Sequence, residues 1–187
     1  LGGIRKADLR IGGRRLLDRV AAALEPAAVP LLVATGPGAP RIAMPADAIA
    51  VHDLAAATGG PLAGLVASIA ALHSRGIREG LLISAAVDTP FLPEDYVTVM
   101  TAELRDSAAA LAGWGGDAYP PNAIWKIEAL AHLPEAVMTD TAPRSLKALQ
   151  GQIGARLVDW TPRSPSRNPF ANVNSLADLL ALRESRT

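Results

Sequence analysis

An apolar segment at residues 80–87 (GLLISAAV) constrains the fold of this chain more than any other feature of its sequence. A strand with one exposed face alternates apolar and polar residues, whereas this near-continuous apolar segment suits burial on both faces. It follows residues 61–75, in which leucine, valine and isoleucine recur with the helical period of about 3.6 residues. The two segments together predict a helix followed by a central strand of a mostly parallel sheet.

Strand-like and helix-like segments alternate along the rest of the chain as well. Apolar segments at 30–35, 48–51 and 155–160 predict further strands, and residues 14–24 predict a helix. Less regular patterns predict the remaining elements: strands at 107–112 and 120–125, and helices at 93–105, at 126–132, at 144–150 and from Ser175 onwards. This alternation is typical of α/β proteins, so we predict a single domain over residues 1–187, built as a three-layer α/β sandwich.

Composition and charge exclude several classes of protein and of functional site. The chain contains no cysteine, which excludes a disulfide framework, a thiolate metal site and a cysteine nucleophile. Eighteen basic residues balance eighteen acidic ones, so the basic excess typical of proteins that clamp duplex nucleic acid is absent. The sequence shows neither an apolar stretch of about 20 residues nor a charged leader followed by an apolar segment. We therefore expect a cytoplasmic protein without a nucleic-acid or membrane partner.

Asp88 is the first candidate for a role in chemistry, because it follows the apolar segment directly. In open α/β sheets, ligands bind outside the carboxyl ends of the strands. A carboxylate at such a position suits Mg²⁺, which takes few protein ligands and keeps water and substrate phosphates in its coordination shell. The alternative is a structural aspartate that begins a turn before Pro90, and position alone leaves both interpretations open.

Two glycine clusters are candidates for phosphate binding. Gly2 and Gly3 precede Lys6, and Gly59 and Gly60 precede the strongest predicted helix. Glycines let backbone N–H groups approach a phosphate, a lysine adds a positive charge, and a helix N-terminus attracts anions. The alternative interpretations are a solvated basic surface for the first cluster and a plain tight turn for the second.

Two asparagines near the end of the chain, Asn172 and Asn174, form a third candidate. In an extended segment their amides lie on the same face. Asparagine also forms turns and caps helices, and the residues alone favour that structural alternative. The histidines, His52, His73 and His132, do not have the spacing of a metal site.

Four motifs occur in a fixed order: Gly-Gly-x-x-Lys at 2–6, Gly-Pro-Leu-Ala-Gly at 60–64, Asp-Thr-Pro-Phe-Leu-Pro at 88–93, and Asn-x-Asn at 172–174. In this order they resemble the molybdenum cofactor guanylyltransferase family, which belongs to the Rossmann-like nucleotidyltransferases. The resemblance extends from Leu1 to about Leu182, and the second and third motifs are its most specific parts. It implies an α/β nucleotidyltransferase sandwich with a mostly parallel sheet.

The start of the chain departs from the pattern of that family, which begins with a strand and a glycine-rich phosphate-binding loop. Leu1 stands where methionine is usual, and Arg5 stands where the family commonly has aspartate. The resemblance therefore implies that the first strand and most of this loop are absent from the chain. We accordingly expect the 187 residues alone to be inactive.

The resemblance also implies a reaction. The terminal phosphate of molybdopterin attacks the α-phosphate of GTP with Mg²⁺ as cofactor, GMP is transferred, and pyrophosphate leaves. The residues that match the functional positions of the family divide by role: Lys6 and Asp88 for catalysis; Gly2, Gly3, Lys6, Asp53, Gly59, Gly60 and Asp88 for the nucleotide; Asp88 and Asn174 for the metal; and Asn172 and Asn174 for the acceptor. The expected partners are GTP, molybdopterin and, transiently, cofactor-delivery proteins or molybdoenzymes.

Three alternatives stay open: a cytidylyltransferase for molybdopterin, a guanylyltransferase for another phosphorylated acceptor, and a homologue that binds nucleotide without catalysis. Arg5 in place of aspartate gives weight to the last of these. The motifs at 60–65 and 88–93 resemble the guanylyl branch. Small residues at 59–60 and 63–64 would also leave room for a purine, and guanine offers a pair of donors that cytosine lacks.

Overall fold

The computed structural model describes residues 6–36, 42–54 and 59–173. Five α-helices lie in these ranges: α1 Leu16–Ala23, α2 Pro61–His73, α3 Tyr96–Leu104, α4 Leu133–Met138 and α5 Leu146–Gln152. Eight strands accompany them: β1 Arg10–Ile11, β2 Arg14–Arg15, β3 Leu32–Thr35, β4 Ile49–His52, β5 Leu81–Ser84, β6 Ala109–Trp114, β7 Asp117–Lys126 and β8 Arg156–Asp159. Short 3₁₀ helices occur at Lys6–Asp8 and Glu128–Leu130. None of the described helices is long and apolar enough to cross a membrane.

The main sheet contains four strands in the order β5-β7-β6-β8. β7 runs antiparallel to both of its neighbours, while β6 and β8 are parallel. Strands β5, β6 and β8 therefore point in the same direction and β7 is reversed, so the sheet is mostly parallel in strand direction. A parallel pair, β3 with β4, and a short antiparallel hairpin, β1 with β2, complete the strand pairings of the described residues.

Helices cover both faces of the main sheet. Successive residues of β6 and β7 point to opposite faces, as a pleated strand requires. On one face, Leu111 and Trp125 belong to a buried cluster with residues of α2, α4 and α5. On the other face, Ala110 and Ile124 belong to a second cluster with residues of α3. The prediction of a three-layer α/β sandwich is thereby confirmed.

Helix α2 joins the β3–β4 pair to the main sheet. Pro61 occupies the first turn, where the missing N–H of proline costs no intrahelical hydrogen bond. Gly64 approaches β3 so closely that a Cβ atom there would lie 2.8 Å from Cβ of Ala34. Leu65 and Ile69 extend the buried contact of the same helix to the main sheet. Glycine at position 64 is thus what allows α2 and β3 to pack together.

The apolar segment 80–87 forms a shorter strand than expected, β5, and the strand lies at one end of the described four-stranded sheet. The predicted central position is therefore wrong for the part of the chain that the structure describes. The strand is short because the chain leaves the sheet in a turn, in which the backbone N–H of Ala86 donates to Oδ1 of Asn122 at 3.1 Å. β5 pairs with β7 along one edge, and its residues also line a large cleft.

Most other predicted elements are present with shifted ends. The predicted strands at 30–35, 48–51, 107–112, 120–125 and 155–160 correspond to β3, β4, β6, β7 and β8, and the predicted helices at 14–24, 61–75, 93–105 and 144–150 correspond to α1, α2, α3 and α5. The helix expected at 126–132 is reduced to the 3₁₀ helix Glu128–Leu130, and α4 is a helix that the sequence pattern does not predict. The helix expected from Ser175 lies outside the described residues.

Candidate active site

An ion pair joins two of the predicted site residues. Lys6 Nζ lies 2.8 Å from Asp88 Oδ2, although the two residues are 82 positions apart in the sequence. The side chain of Asp88 is 16% exposed, whereas that of Lys6 is 45% exposed. A mostly buried carboxylate beyond the carboxyl end of β5 is thus held beside a cation that solvent, and therefore a ligand, can reach.

Buried hydrogen bonds hold the turn that carries Asp88. Thr89 is fully buried, and its hydroxyl oxygen lies 2.7 Å from the carbonyl oxygen of Ala86 and 3.1 Å from Oδ1 of Asn122. The same Oδ1 accepts the backbone N–H of Ala86. These bonds fix the backbone from which the Asp88 side chain extends.

Sequence reasoning missed Asn122, which lies on β7 and in none of the four motifs. It is 1% exposed, and its amide joins β7 to the turn after β5. One sequence feature points to it: Asn122 stands directly before the apolar residues 123–125. A polar side chain in such a place is buried, and buried amides are hydrogen-bonded. Asn122 therefore contacts the turn that carries Asp88 and not the Asp88 side chain.

The segment that carries Asn172 is attached to the same turn. The backbone N–H of Val173 donates to the carbonyl oxygen of Asp88 at 2.8 Å. Val173 is itself fully buried, which anchors the attachment. The fold therefore brings the third and fourth motifs together, as a common site requires. Three predicted site residues lie outside the described part of the chain: Gly2, Gly3 and Asn174.

A cleft of about 1530 Å³ brings further candidates together. Asp53, Gly60, Asp88 and Asn172, which come from four separate parts of the sequence, all line it. Residues of β3 and β5 also line it, and these two strands do not pair with each other in the described structure. Small-molecule sites commonly measure roughly 300–1,000 Å³. The cleft exceeds that range because it also extends between β3 and β5 over apolar residues of α2 such as Leu65.

The N-terminus of α2 reaches the cleft through Gly60 and Pro61. Gly60 has a φ of 70°, a backbone conformation that glycine adopts readily and other residues rarely adopt. A Cβ atom at Gly59 or Gly60 would meet nothing within 4 Å, which indicates open space beside this turn. The room expected at 63–64 is absent, because Ala63 is 2% exposed and Gly64 packs on β3.

A second ion pair fastens the start of α1 beside the cleft. Arg15 Nε and Nη2 lie 2.8 and 2.6 Å from the two carboxylate oxygens of Asp18, and Arg15 Nη1 donates to the carbonyl oxygen of Ala43 at 2.7 Å. Hydrogen bonds from Arg15 lower the pKa of Asp18. The pair therefore ties residues 15–18 to the segment that precedes β4.

The donor chemistry of the cleft fits a magnesium–nucleotide complex. Among the described residues there is no group of three or more His, Cys, Asp or Glu side chains that could hold a metal ion by itself. Magnesium does not require one, since it retains water and takes one or two carboxylates together with substrate phosphates. The carboxylate of Asp88 and the amide oxygen of Asn172, on the same cleft, are oxygen donors of the kind that Mg²⁺ prefers.

The fold and the cleft define an α/β protein with a lysine and a carboxylate at the end of its sheet, an arrangement that suits the binding of phosphate groups and a cation. The sequence specifies the class further. The model of the MobA-like NTP transferase domain matches residues 1–156, and the chain belongs to that family.

Two molybdenum cofactor guanylyltransferases are similar to the chain over nearly its whole length. The molybdenum cofactor guanylyltransferase of Bradyrhizobium sp. (strain ORS 278) is 32% identical over 181 residues, which cover 96% of this chain and 84% of that protein. The molybdenum cofactor guanylyltransferase of Acidiphilium cryptum (strain JF-5) is 32% identical over 189 residues, which cover 100% of this chain and 89% of that protein.

Solved structures share the fold. Molybdopterin-guanine dinucleotide biosynthesis protein A from Archaeoglobus fulgidus gives a TM-score of 0.68 at 18% identity, covering 99% of this chain and 93% of that one. The 2-C-methyl-D-erythritol 4-phosphate cytidylyltransferase from Thermus thermophilus gives 0.64 at 21% identity, covering 97% and 94%. These likenesses confirm the Rossmann-like nucleotidyltransferase fold. Because the second protein is a cytidylyltransferase, the fold does not select the nucleotide.

Proposed function

We propose that this chain is a molybdenum cofactor guanylyltransferase, which transfers GMP from GTP to the terminal phosphate of molybdopterin and releases pyrophosphate. The observation that carries the proposal is the Lys6–Asp88 ion pair beside a cleft that Asn172 also lines. Residues from the first, third and fourth motifs meet there. The names of relatives that are 32% identical support the same assignment.

The reaction joins two anions, so the protein must mainly neutralise charge and align the reacting atoms. An oxygen of the molybdopterin phosphate forms a bond to the α-phosphorus of GTP. The bond from that phosphorus to the oxygen bridging the α- and β-phosphates breaks, and pyrophosphate leaves with the electron pair. Bound Mg²⁺ supplies neutralisation of the phosphate oxygens on which negative charge develops.

The Lys6–Asp88 pair supplies both kinds of charge that this reaction uses. Asp88 would hold Mg²⁺ through its carboxylate, and the Lys6 ammonium would neutralise phosphate oxygens beside it. The hydrogen bonds of Asn122 and Thr89 hold the turn that carries Asp88.

Recognition of guanine is assigned to the start of α2 and to Asp53, while Asn172 is assigned to the acceptor. The open space beside Gly59 and Gly60 admits a purine next to the backbone. Guanine presents an N1–H and an exocyclic amine, which a carboxylate such as that of Asp53 accepts. Cytosine lacks this donor pair and would leave the acceptors unpaired, at a cost of about 1–3 kcal/mol each.

Pyrophosphate release by the full-length protein tests this function. With GTP, Mg²⁺ and molybdopterin we expect sustained release, and either omission of molybdopterin or chelation of Mg²⁺ by EDTA should stop it. Binding of GTP without any release of pyrophosphate would contradict the proposal and identify a nucleotide-binding homologue. Release with another phosphorylated acceptor, but not with molybdopterin, would overturn the assignment of the acceptor.

A further inference from the structure

A second cavity, of about 220 Å³, lies between the residues that lead into α3 and the loop that follows β8. Phe91 and Asp95 line it on the side of α3, and Trp160, Arg163 and Arg167 line it on the side of the loop. None of its lining residues lines the cleft described above. It is therefore a separate concave feature of the molecule, and the proposed reaction does not use it.

Two residues that line this cavity carry buried donors without acceptors. Nε and Nη2 of Arg167 and Nε1 of Trp160 are all shielded from solvent, and in the described structure none of the three has a hydrogen-bond partner. Trp160 as a whole is fully buried. More than nine in ten buried polar groups in proteins are hydrogen-bonded, so three orphaned donors on two residues that line one small cavity require an explanation. An absent acceptor is the simplest one.

The Arg167 guanidinium is held in place by its surroundings. Its Cζ lies 4.1 Å from the centroid of the Phe91 ring, and such stacking leaves the N–H groups at the edge of the guanidinium plane available to an acceptor. The loop itself is fastened, since Trp114 Nε1 donates to the carbonyl oxygen of Ser164 at 2.8 Å and the backbone N–H of Phe170 donates to Asn168 Oδ1 at 2.9 Å. The donors are thus organised in advance of binding, which lowers its entropic cost.

The charges that line the cavity favour an anion. Arg163 and Arg167 contribute two positive charges, and Asp95 contributes one negative charge. Arg163 is already compensated in part, because its Nη2 lies 3.7 Å from Oε1 of Glu103. Among the ion pairs of the described residues, Arg167 and Asp95 are not paired with each other or with any other group. Arg167 therefore supplies the positive charge that is left for a ligand.

We propose that this cavity is an oxyanion site that binds a phosphate group through the Arg167 guanidinium, with the indole N–H of Trp160 as a further donor. A guanidinium matches two oxygens of a phosphate at once, and the indole nitrogen donates and cannot accept. The phosphate is either free inorganic phosphate or the phosphate of a small organic molecule. This inference does not depend on which nucleotide or acceptor the large cleft takes.

A phosphate bound in this cavity would also affect the large cleft, because the two sites share neighbouring segments of the chain. Phe91 follows Asp88 within the third motif, and Arg167 precedes Asn172 by five residues. A phosphate bound by Arg167 would tighten the contact between these two segments, which the bond from Val173 to Asp88 already joins. The site is thus placed to stabilise the arrangement that the cleft requires.

Isothermal titration of the full-length protein with inorganic phosphate, at constant ionic strength and without nucleotide, tests the proposal. We expect Arg167→Gln to weaken phosphate binding by at least about tenfold, because a charge-assisted hydrogen bond is lost. Arg144→Gln is the matched control, since its side chain is 75% exposed and lies outside the cavity. It should bind as the wild type does.

Two further variants keep the result interpretable. Arg163→Gln alters a residue whose side chain is 42% exposed, so the fold should tolerate it if Arg167→Gln does not, and we expect weaker binding by about threefold. Lys6→Gln should weaken only phosphate binding that takes place in the large cleft. Loss of binding in Lys6→Gln with full retention in Arg167→Gln and Arg163→Gln would overturn the proposal, as would an absence of phosphate binding by the wild type.

A second titration identifies the source of the phosphate. Ribose 5-phosphate binding at least as tightly as inorganic phosphate, and losing affinity in Arg167→Gln, would identify an organic phosphate as the occupant. Inorganic phosphate binding more tightly than the ester, with the same sensitivity to Arg167→Gln, would identify the free ion. Either pattern supports the oxyanion site.

Discussion

At the scale of single residues, the Lys6–Asp88 ion pair should contribute little to the stability of the fold, and we expect its main role to be in the reaction. Its atoms lie 2.8 Å apart, but the Lys6 side chain is 45% exposed, and ion pairs open to solvent contribute only about 0–1 kcal/mol to folding. The turn beneath Asp88 is held by Asn122 and by Val173, and neither bond uses the Asp88 carboxylate. Removing the charge should therefore leave the fold intact and remove the function.

Asp88→Asn tests that separation. We expect the variant to lose Mg²⁺-dependent pyrophosphate release by at least about a hundredfold, because the carboxylate that would hold the metal is gone. Its melting temperature should stay within about 4 °C of the wild type. Asp117→Asn, at an exposed position at the start of β7, is the matched control and should retain full activity. A fully active Asp88→Asn enzyme would remove Asp88 from the site.

The ion pair of Asp18 with Arg15 predicts how the free energy of unfolding depends on pH. Hydrogen bonds from Arg15 lower the pKa of Asp18 in the folded protein. A carboxyl group of this kind stabilises the fold above its unfolded pKa of about 3.9, and the contribution is lost as pH falls toward the lower folded value. The free energy of unfolding of the wild type should therefore exceed that of Asp18→Asn most at neutral pH, and the difference should shrink below about pH 4.

Urea denaturation at about pH 7, 5 and 3 measures this difference. The control variant is Asp140→Asn, whose side chain is 78% exposed in an ion pair with Arg144 and should change stability little at any of these pH values. A gap between the wild type and Asp18→Asn that is the same at all three pH values would contradict the role assigned to Arg15.

At the scale of elements, the contact between α2 and β3 shapes one wall of the cleft, and Gly64 makes it possible. A Cβ atom at position 64 would lie 2.8 Å from Cβ of Ala34, closer than side-chain atoms can approach. Gly64→Ala should therefore destabilise the protein by about 1–3 kcal/mol in spite of the better helix propensity of alanine. Gly151 lies in α5, where an added Cβ atom would meet nothing within 4 Å. Gly151→Ala should therefore be neutral or stabilise by up to about 1 kcal/mol.

Thermal and chemical denaturation of the two alanine variants, measured side by side, checks this contrast. Both substitutions lie within a helix, so helix propensity alone predicts that both stabilise. A stabilised Gly64→Ala variant would show that α2 and β3 do not pack as closely as the structure indicates.

The elements also show how far local pattern predicts structure. The period of about 3.6 residues in α2 and the apolar segments of β3 and β5 are properties of neighbouring residues, and these elements are where the pattern predicts them. The end of β5 and its place in the sheet depend instead on distant partners. Ser84 Oγ, for example, donates to the carbonyl oxygen of Pro121, 37 residues away. No local pattern contains such a contact.

At the scale of the whole molecule, the cleft exists because segments distant in sequence converge beyond the end of β5. The resemblance implies that Asp88, Asn172 and Gly60 share a site, and all three line the cleft. The ion pair of Asp88 with Lys6, the amide of Asn122 beneath the turn, and the second cavity at Arg167 depend on tertiary contacts. The roles that the resemblance implies for these residues stay predictions, and the structure adds the distances between the described ones.

Identification of the dinucleotide formed in competition tests the central claim most directly. The full-length enzyme receives equal concentrations of GTP and CTP with Mg²⁺ and molybdopterin, and mass spectrometry identifies the product. A preference of at least about tenfold for the guanine dinucleotide is expected, because each unpaired acceptor left by cytosine costs about 1–3 kcal/mol and 1.4 kcal/mol is a factor of ten. A product that is mainly the cytosine dinucleotide would contradict the account.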